Sequence, residues 1–213
     1  DSAGNTPLML AALNNQDKAA KALIDGKASL EAKDPAGNTP LMLAALNNQD
    51  KAAKALIDGK ASLEAKDPAG STPLMLASAK GQADACRVLY DALAYPDTRD
   101  NDGESAVDKA ISGQHLGVLK ILRASADKIG ADGRNALMRA ISDEDIVAFR
   151  LLVDAGAQLN LRDKHGNTAL ALAAHNGDFA IMRRLIDENA SLDSANKQGR
   201  TALMIAAARG DVA

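Results

Sequence analysis

The sequence has no tryptophan and only two tyrosines, two phenylalanines and one cysteine in 213 residues. A single cysteine excludes an internal disulfide framework. The net charge of −3 provides no basic excess, which argues against a nucleic-acid partner. No apolar run approaches the roughly 20 residues that cross a bilayer, so we expect no membrane insertion. Alanine and leucine must therefore form most of the core, which suits thin helices that pack closely.

The sequence shows no signal peptide or transit segment. It starts at Asp1 without a methionine, and Ala213 falls where a helix of the last repeat should begin. We therefore expect the chain to be part of a longer protein. Its compartment stays open: the cytoplasm or, if an upstream signal has been removed, the periplasm or the outside of the cell.

Glycine recurs with a period of 33 residues, interrupted by a single spacing of 30, at Gly4, Gly37, Gly70, Gly103, Gly133, Gly166 and Gly199. A fixed period of this length is typical of a repeat array. We predict a single array over 1–213, divided into units 1–33, 34–66, 67–99, 100–129, 130–162, 163–195 and the incomplete 196–213. Irregular junctions are predicted near 93–99 and 126–130, where we expect an altered loop or a local change in stacking.

Each unit reads as a turn followed by two short helices. In the first unit Gly4 supplies a positive φ in the turn, Thr6 fits a helix N-cap and Pro7 the first helical position. A second helix is predicted over 17–25 and ends at Gly26. A helix pair this small cannot bury its apolar face alone, so neighbouring units must stack.

The first two units, 1–33 and 34–66, differ only at Ser2 and Pro35. This near identity indicates either a recent tandem duplication or deliberate construction.

Several segments closely resemble the ankyrin repeat: 6–12 (TPLMLAA), its copy at 39–45, 151–160 (LLVDAGAQLN), 163–166 (DKHG), 168–174 (TALALAA) and 201–207 (TALMIAA). The resemblance covers the whole chain. It implies an all-α solenoid of stacked helix-turn-helix repeats with β-turn or hairpin loops, present as a monomeric array.

The sequence also departs from the family pattern at two kinds of position. The histidine usual after Thr-Pro-Leu is replaced, which puts the family's hydrogen bonds between adjacent loops in doubt, at Met9, Met42, Met75, Asp108, Met138, Ala171 and Met204. A glycine expected after the second helix is replaced by Lys27, Lys60 and Asn189, and asparagine tolerates the left-handed conformation.

The resemblance implies partner-binding residues in the turns and at the ends of the first helices, which line a concave face in this family. Carried over by position, they are Asn101, Asp102, Glu104, Asp132, Arg134, Lys164, His165, Asn167, His175, Lys197 and Arg200. The alternative is that these are solvated turn residues. Residues 100–213 contain nine Arg and five Lys, against two and nine in 1–99, and arginine favours partly desolvated contacts.

The few aromatic residues have separate expectations. Phe149, Phe179 and Tyr90 occupy apolar positions of second helices, where we expect them to pack in the core. Tyr95 lies instead in the irregular loop beside Pro96, where it either anchors a partner or covers the shortened fourth unit.

No arrangement of catalytic or metal-binding residues emerges. His165 and His175 belong to one unit and are expected near each other, but a zinc site needs three or four ligands. Cys86 lies among apolar residues of a helix and is expected to be a buried, inert thiol. There is no phosphate-binding glycine loop and no nucleophile motif, so we expect neither a cofactor nor an enzyme.

Three functional hypotheses follow. The first is a non-catalytic module that binds a folded protein through the concave face, with an inhibitor or self-protection antagonist of an enzyme as its sharper form. The second is the targeting arm of a larger enzyme or secreted effector. The third is an engineered or duplicated repeat scaffold.

Overall fold

The computed structural model describes residues 4–210 as short helices joined by tight turns, with no β-strand among them. The predicted turn residues 1–3 and the helix start expected at 211–213 lie outside the described residues. The predicted all-α fold of short helix-turn-helix repeats is confirmed for these residues.

The first helix of each repeat starts one residue after a capping Thr, Ser or Asn. These inner helices are α1 (Pro7–Leu13), α3 (Pro40–Leu46), α5 (Pro73–Ala79), α7 (Ala106–Ser112), α10 (Ala136–Ser142), α12 (Ala169–Asn176) and α14 (Ala202–Arg209). The outer helices follow after a short connection and are α2 (Asp17–Asp25), α4 (Asp50–Asp58), α6 (Ala83–Asp91), α8 (Leu116–Ile121), α9 (Arg123–Ala126), α11 (Ile146–Asp154) and α13 (Phe179–Asp187).

The described chain forms two compact units, Asp1–Leu122 and Arg123–Ala213. In the N-terminal unit the inner helices α1, α3, α5 and α7 pack in sequence, and the outer helices α2, α4, α6 and α8 pack beside them. In the C-terminal unit α10, α12 and α14 form the inner row, with α11 and α13 outside. The seven repeat boundaries given by the 33-residue period remain a prediction.

Methionine takes part in the helix caps of the first repeats. The Thr6 hydroxyl accepts a hydrogen bond from the Met9 backbone N–H, and the Met9 Sδ accepts one from the Thr6 N–H, both at 3.3 Å. Thr39 and Thr72 form the same reciprocal cap with Met42 and Met75. Methionine, at the position where the family usually has histidine, therefore completes the N-terminal cap of its own helix. The sulfur is a weak acceptor.

Several non-glycine residues adopt the left-handed conformation after the outer helices. In the fifth repeat this position is a glycine, Gly156, with φ 84°. In the sixth repeat it is Asn189, which adopts the left-handed conformation (φ 62°) as predicted. Lys27, Lys60 and Leu93 also lie there, at φ 62°, 71° and 69°. A side chain at this conformation costs about 1 kcal/mol relative to glycine.

The outer side of the fourth repeat is interrupted. Its outer helix stops at Ile121, and the short α9 starts in the C-terminal unit. Asp127 then accepts a hydrogen bond from the Gln158 N–H at 2.9 Å. Asn160 accepts the equivalent bond from the Ser191 N–H, also 31 residues away, so a link between successive repeats persists beyond the three-residue deletion.

The aromatic residues that were predicted to pack in the core differ in their burial. Phe149 is buried, as predicted, and Tyr90 is half-buried. The core prediction for Phe179 is wrong, because its side chain is 49% exposed. The buried side of α13 is set by Ile181 and Leu185, and a residue two positions before Ile181 lies about 200° around the helix from it.

Candidate functional site

The turns and inner helices of the C-terminal unit enclose a surface pocket of about 360 Å³, which we call the basic pocket. Its rim comes mainly from two successive turns, 163–167 and 196–200, with Arg134 from the turn before them, and its floor comes from α12 and α14. It is lined by Arg134, Asp163, His165, Asn167, Ala171, Leu172, His175, Asn196, Lys197, Gln198, Arg200 and Ile205.

The first turn of the rim is held by a buried carboxylate. Asp163 Oδ1 accepts hydrogen bonds from the backbone N–H groups of His165 and Asn167, both at 2.8 Å. The Asn167 side chain donates to Asp163 Oδ2 at 3.1 Å. Because Asp163 accepts these three hydrogen bonds within the turn, it fixes the backbone from which the exposed His165 side chain projects.

The second turn repeats this arrangement with an amide in place of the carboxylate. Asn196 Oδ1 accepts from the N–H groups of Gln198 and Arg200 at 3.0 Å. The Asn196 amide also donates to Asn167 Oδ1 at 2.9 Å, and the Lys197 N–H donates to the His165 carbonyl at 3.0 Å. These two bonds join the turns directly, so the rim is preorganised.

Inner-helix side chains form the floor. Ala171 and Ile205 are buried, and Leu172 is half-buried. His175 lies near the end of α12, where its carbonyl accepts a hydrogen bond from Arg209 Nη1 at 2.6 Å. The pocket thus has an apolar base beneath a polar rim, a composition typical of sites that recognise another molecule.

The pocket is positively charged although the whole chain is acidic. Arg134, Lys197 and Arg200 carry positive charge, and His165 and His175 add two imidazoles. Asp163 is the only acidic residue among the lining residues. The Arg200 guanidinium also donates to the Gln198 side chain. The pocket therefore favours an anionic group.

Two other predicted residues of this unit lie outside the pocket. Asp132 Oδ1 lies 3.6 Å from Arg139 Nη1 and accepts a hydrogen bond from the Arg134 N–H at 3.1 Å. Asp132 thus stabilises a turn in which Gly130 stands where neighbouring repeats have Asp100, Asp163 or Asn196. Lys164 is exposed beside the pocket.

The predicted residues of the N-terminal unit are not among the residues that line this pocket, and several of them have structural partners. Asn101 donates from its side chain to the Pro68 carbonyl at 3.0 Å. Glu104 contacts the ammonium of Lys109. Asp102 and Tyr95 are exposed, Tyr95 to 67%. The backbone N–H of Tyr95 donates to Glu64 Oε1 at 2.8 Å, which fixes its loop and leaves the ring in solvent.

The Glu104 contact belongs to a charge cluster in the fourth repeat. Lys109 Nζ lies 2.7 Å from Asp100 Oδ2, and the Asp100 side chain is only 2% exposed. The hydrogen bond from Lys109 holds the pKa of Asp100 below its usual value, and the two carboxylates raise the pKa of Lys109. This cluster stabilises the turn and leaves Glu104 less available to a partner.

A second pocket, of about 450 Å³, was not predicted from the sequence. It lies at the connections between inner and outer helices of the C-terminal unit and is lined by Glu144, Ile146, Asn176, Gly177, Asp178 and Phe179. Its sequence signal is the placement of apolar residues at the first positions of α11 and α13, directly after acidic residues.

Cys86 is buried, as predicted. Burial raises the pKa of its thiol to about 11, so the thiolate is scarce at neutral pH. Within residues 4–210 no three His, Cys, Asp or Glu side chains are grouped so as to hold a metal ion. In the same range, no helix is long and apolar enough to cross a membrane.

Comparisons with known proteins agree with the repeat geometry. The family described as "Ankyrin repeats (3 copies)" matches residues 1–67, 52–132, 74–163 and 137–213. The crystal structure of the ankyrin repeat domain of Bcl-3, described as a unique member of the IkappaB protein family, is similar at a TM-score of 0.66 and 26% identity. That match covers 95% of this chain and 94% of the Bcl-3 chain. No curated protein sequence matches the chain. Ankyrin repeats are non-catalytic protein-interaction modules, and this chain belongs to the ankyrin repeat family.

Proposed function

We propose that the chain binds a folded protein partner through the basic pocket of its C-terminal unit. The observation that carries the proposal is the convergence of the binding positions implied by the family. Six of them line this one pocket: Arg134, His165, Asn167, His175, Lys197 and Arg200.

The rigidity of the rim supports this role. Asp163 and Asn196 fix both turns through backbone hydrogen bonds, and the Asn196–Asn167 bond couples them. A preorganised surface spends little of its binding free energy on ordering loops. The cationic rim complements an acidic patch on the partner, which speeds association and disfavours basic competitors.

The apolar floor supplies the second element of a protein-binding surface. Leu172 and Ile205 lie beneath the charged rim. An acidic or amide side chain of the partner that contacts Arg134 or Arg200 brings its own apolar stem over this floor. Such central, partly desolvated contacts dominate the free energy of most protein interfaces.

The finer form of the proposal is that the partner is an enzyme and the chain its inhibitor or self-protection antagonist. A fixed surface is able to cover an active-site opening without first changing conformation. The assay is the partner's catalytic rate at saturating concentrations of the chain. An unchanged rate at full occupancy refutes the inhibitor role and leaves the binding role intact.

The binding role is tested with a triple variant, Arg134→Ser, His165→Ser and Arg200→Ser. A protein captured from the source lysate by the wild-type chain is purified, and its affinity for both chains is measured by calorimetry. Loss of three central polar contacts should weaken binding by at least about tenfold.

A matched control removes three exposed cations of the N-terminal unit: Lys18→Ser, Lys51→Ser and Arg87→Ser. Most of the affinity should survive in this control. Equal losses in the two variants indicate non-specific charge attraction, and an unchanged affinity in the pocket variant refutes the proposed site.

A further inference from the structure

The first positions of the outer helices differ between the two units. At this position the first three repeats carry Asp17, Asp50 and Ala83, and Leu116 of the fourth is half-buried. In the C-terminal unit the same position holds Ile146 and Phe179, which are 45% and 49% exposed. Val147, the next residue of α11, is 50% exposed.

The repeat that contains α10 and α11 is followed by the repeat of α12 and α13, and α10 packs against α12. The equivalent residues of the first four repeats are half-buried, so the C-terminal unit has exposed apolar residues at a position where the first three repeats have polar or small ones. Contiguous exposed apolar groups are typical of interaction sites.

These residues border a defined recess. Ile146 and Phe179 line the second pocket, whose volume of about 450 Å³ accommodates a large side chain. Asn176 and Gly177 form part of its wall, and Gly177 adopts φ 76° at the end of α12.

The rim of the recess is acidic. Glu144 and Asp178 line it, and Asp143 and Asp145 flank Glu144 in the sequence. Asp145 and Asp178 are held in place because one oxygen of each caps its outer helix, accepting from the Ala148 N–H at 2.9 Å and the Ile181 N–H at 3.0 Å.

No lysine, arginine or histidine is among the residues that line this recess. The Arg209 guanidinium lies against Gly177 in the wall, and Arg150 and Arg183 follow about one turn after the first positions of the two outer helices. The two charged residues that line the recess are both acidic, and Arg209 is a neighbouring cation, whereas the basic pocket of the same unit has one acidic residue among several cations.

We propose that this apolar–acidic recess binds a basic peptide segment of a second partner, with one large aliphatic side chain inserted between Ile146 and Phe179 and flanking Lys or Arg side chains at Glu144 and Asp178. The apolar contact supplies affinity, and the carboxylates select for positive charge. The recess shares no lining residue with the basic pocket, so the chain presents two surfaces of opposite charge preference.

The probe is a fluorescein-labelled hexapeptide, Arg-Lys-Leu-Leu-Lys-Arg, titrated with the full chain and followed by fluorescence anisotropy. One control peptide replaces the basic residues with glutamate, and another replaces both leucines with serine. We expect saturable binding of the probe, at least about tenfold weaker binding of each control peptide, and weaker binding of the probe at high salt.

Two variants locate the site. Phe179→Ser and Glu144→Gln should each weaken probe binding several-fold, with unchanged circular dichroism. The matched controls, Leu203→Ser for an exposed apolar residue and Asp91→Asn for an exposed carboxylate, should leave it unchanged.

Failure of the probe to bind at millimolar concentration overturns the proposal. So does binding that is insensitive to both recess variants, or equal binding of the glutamate peptide. The Arg134, His165 and Arg200 triple variant should bind the probe normally. The proposals for the recess and for the basic pocket are therefore tested separately.

Discussion

The near-identical first two repeats allow the contribution of stacking to be measured with the local sequence held constant. Leu23 and Leu56 occupy the same position in sequences that differ at one residue of 33. Leu56 is 0% exposed, whereas Leu23 is only half-buried. The difference arises because α4 packs against both α2 and α6, whereas α2 packs against α4 alone among the outer helices of residues 4–210.

The size of the effect follows from the burial. Truncating leucine to alanine removes roughly three carbon groups, each worth about 0.8 kcal/mol when fully buried. For Leu56 this gives about 2.4 kcal/mol plus a cavity term, for a total of about 3–4 kcal/mol. For Leu23, half the burial and no closed cavity give about 1 kcal/mol. We therefore expect Leu56→Ala to cost about 2–3 kcal/mol more than Leu23→Ala.

Urea denaturation followed by circular dichroism measures both costs. Since repeat proteins unfold by segments, the fit must allow more than two states. Hydrogen exchange of the α2 and α4 amides then assigns each loss to a helix. Equal costs for the two variants refute the reasoning, because equal sequences would then determine stability without regard to their neighbours.

Three further predictions concern the turns and the thiol. Asp100→Asn should cost about 2 kcal/mol at pH 7 by removing the ion pair with Lys109. Because the pKa of Asp100 is lowered in the folded state, this stability is present above the unfolded value near 4 and is lost as pH falls through the folded value, so urea midpoints of variant and wild type should converge in acid. A variant at parity with wild type at pH 7 contradicts the cluster's role. Leu93→Gly should raise the free energy of unfolding and Gly156→Ala lower it, each by about 1 kcal/mol, because both residues have positive φ. Melting temperatures should shift in opposite directions, and shifts of the same sign exclude backbone strain as the cause. Cys86 should react with a thiol reagent only as fast as the protein opens, and rapid labelling of the native chain contradicts its burial.

Much of the fold could be predicted from the sequence because its signals are local. The 33-residue period and the Thr-Pro pairs mark helix starts, and Thr6 and Thr39 cap α1 and α3 as predicted. Burial was harder to predict because it depends on the neighbouring repeats. Leu10 is exposed and Leu43 is buried in identical surroundings of sequence. Phe179 was misassigned because hydrophobicity alone does not specify its direction around α13.

The candidate site was predictable only in outline. Periodicity brings Asn167 and Arg200 to equivalent positions of adjacent turns, and the structure places both in one pocket. Periodicity alone did not indicate that Glu104 forms an ion pair with Lys109 on the next helix. Glu104 was therefore predicted to be a turn residue available to a partner. Whether the pocket residues contact a partner stays a prediction.

The most direct test of the account is an amide NMR titration of the 213-residue chain with its captured, purified partner. We expect the largest chemical-shift changes in the two turns at 163–167 and 196–200, and no change in the equivalent turn at 67–71. Changes confined to other parts of the chain, with these two turns unaffected, would contradict the basic pocket as the binding site.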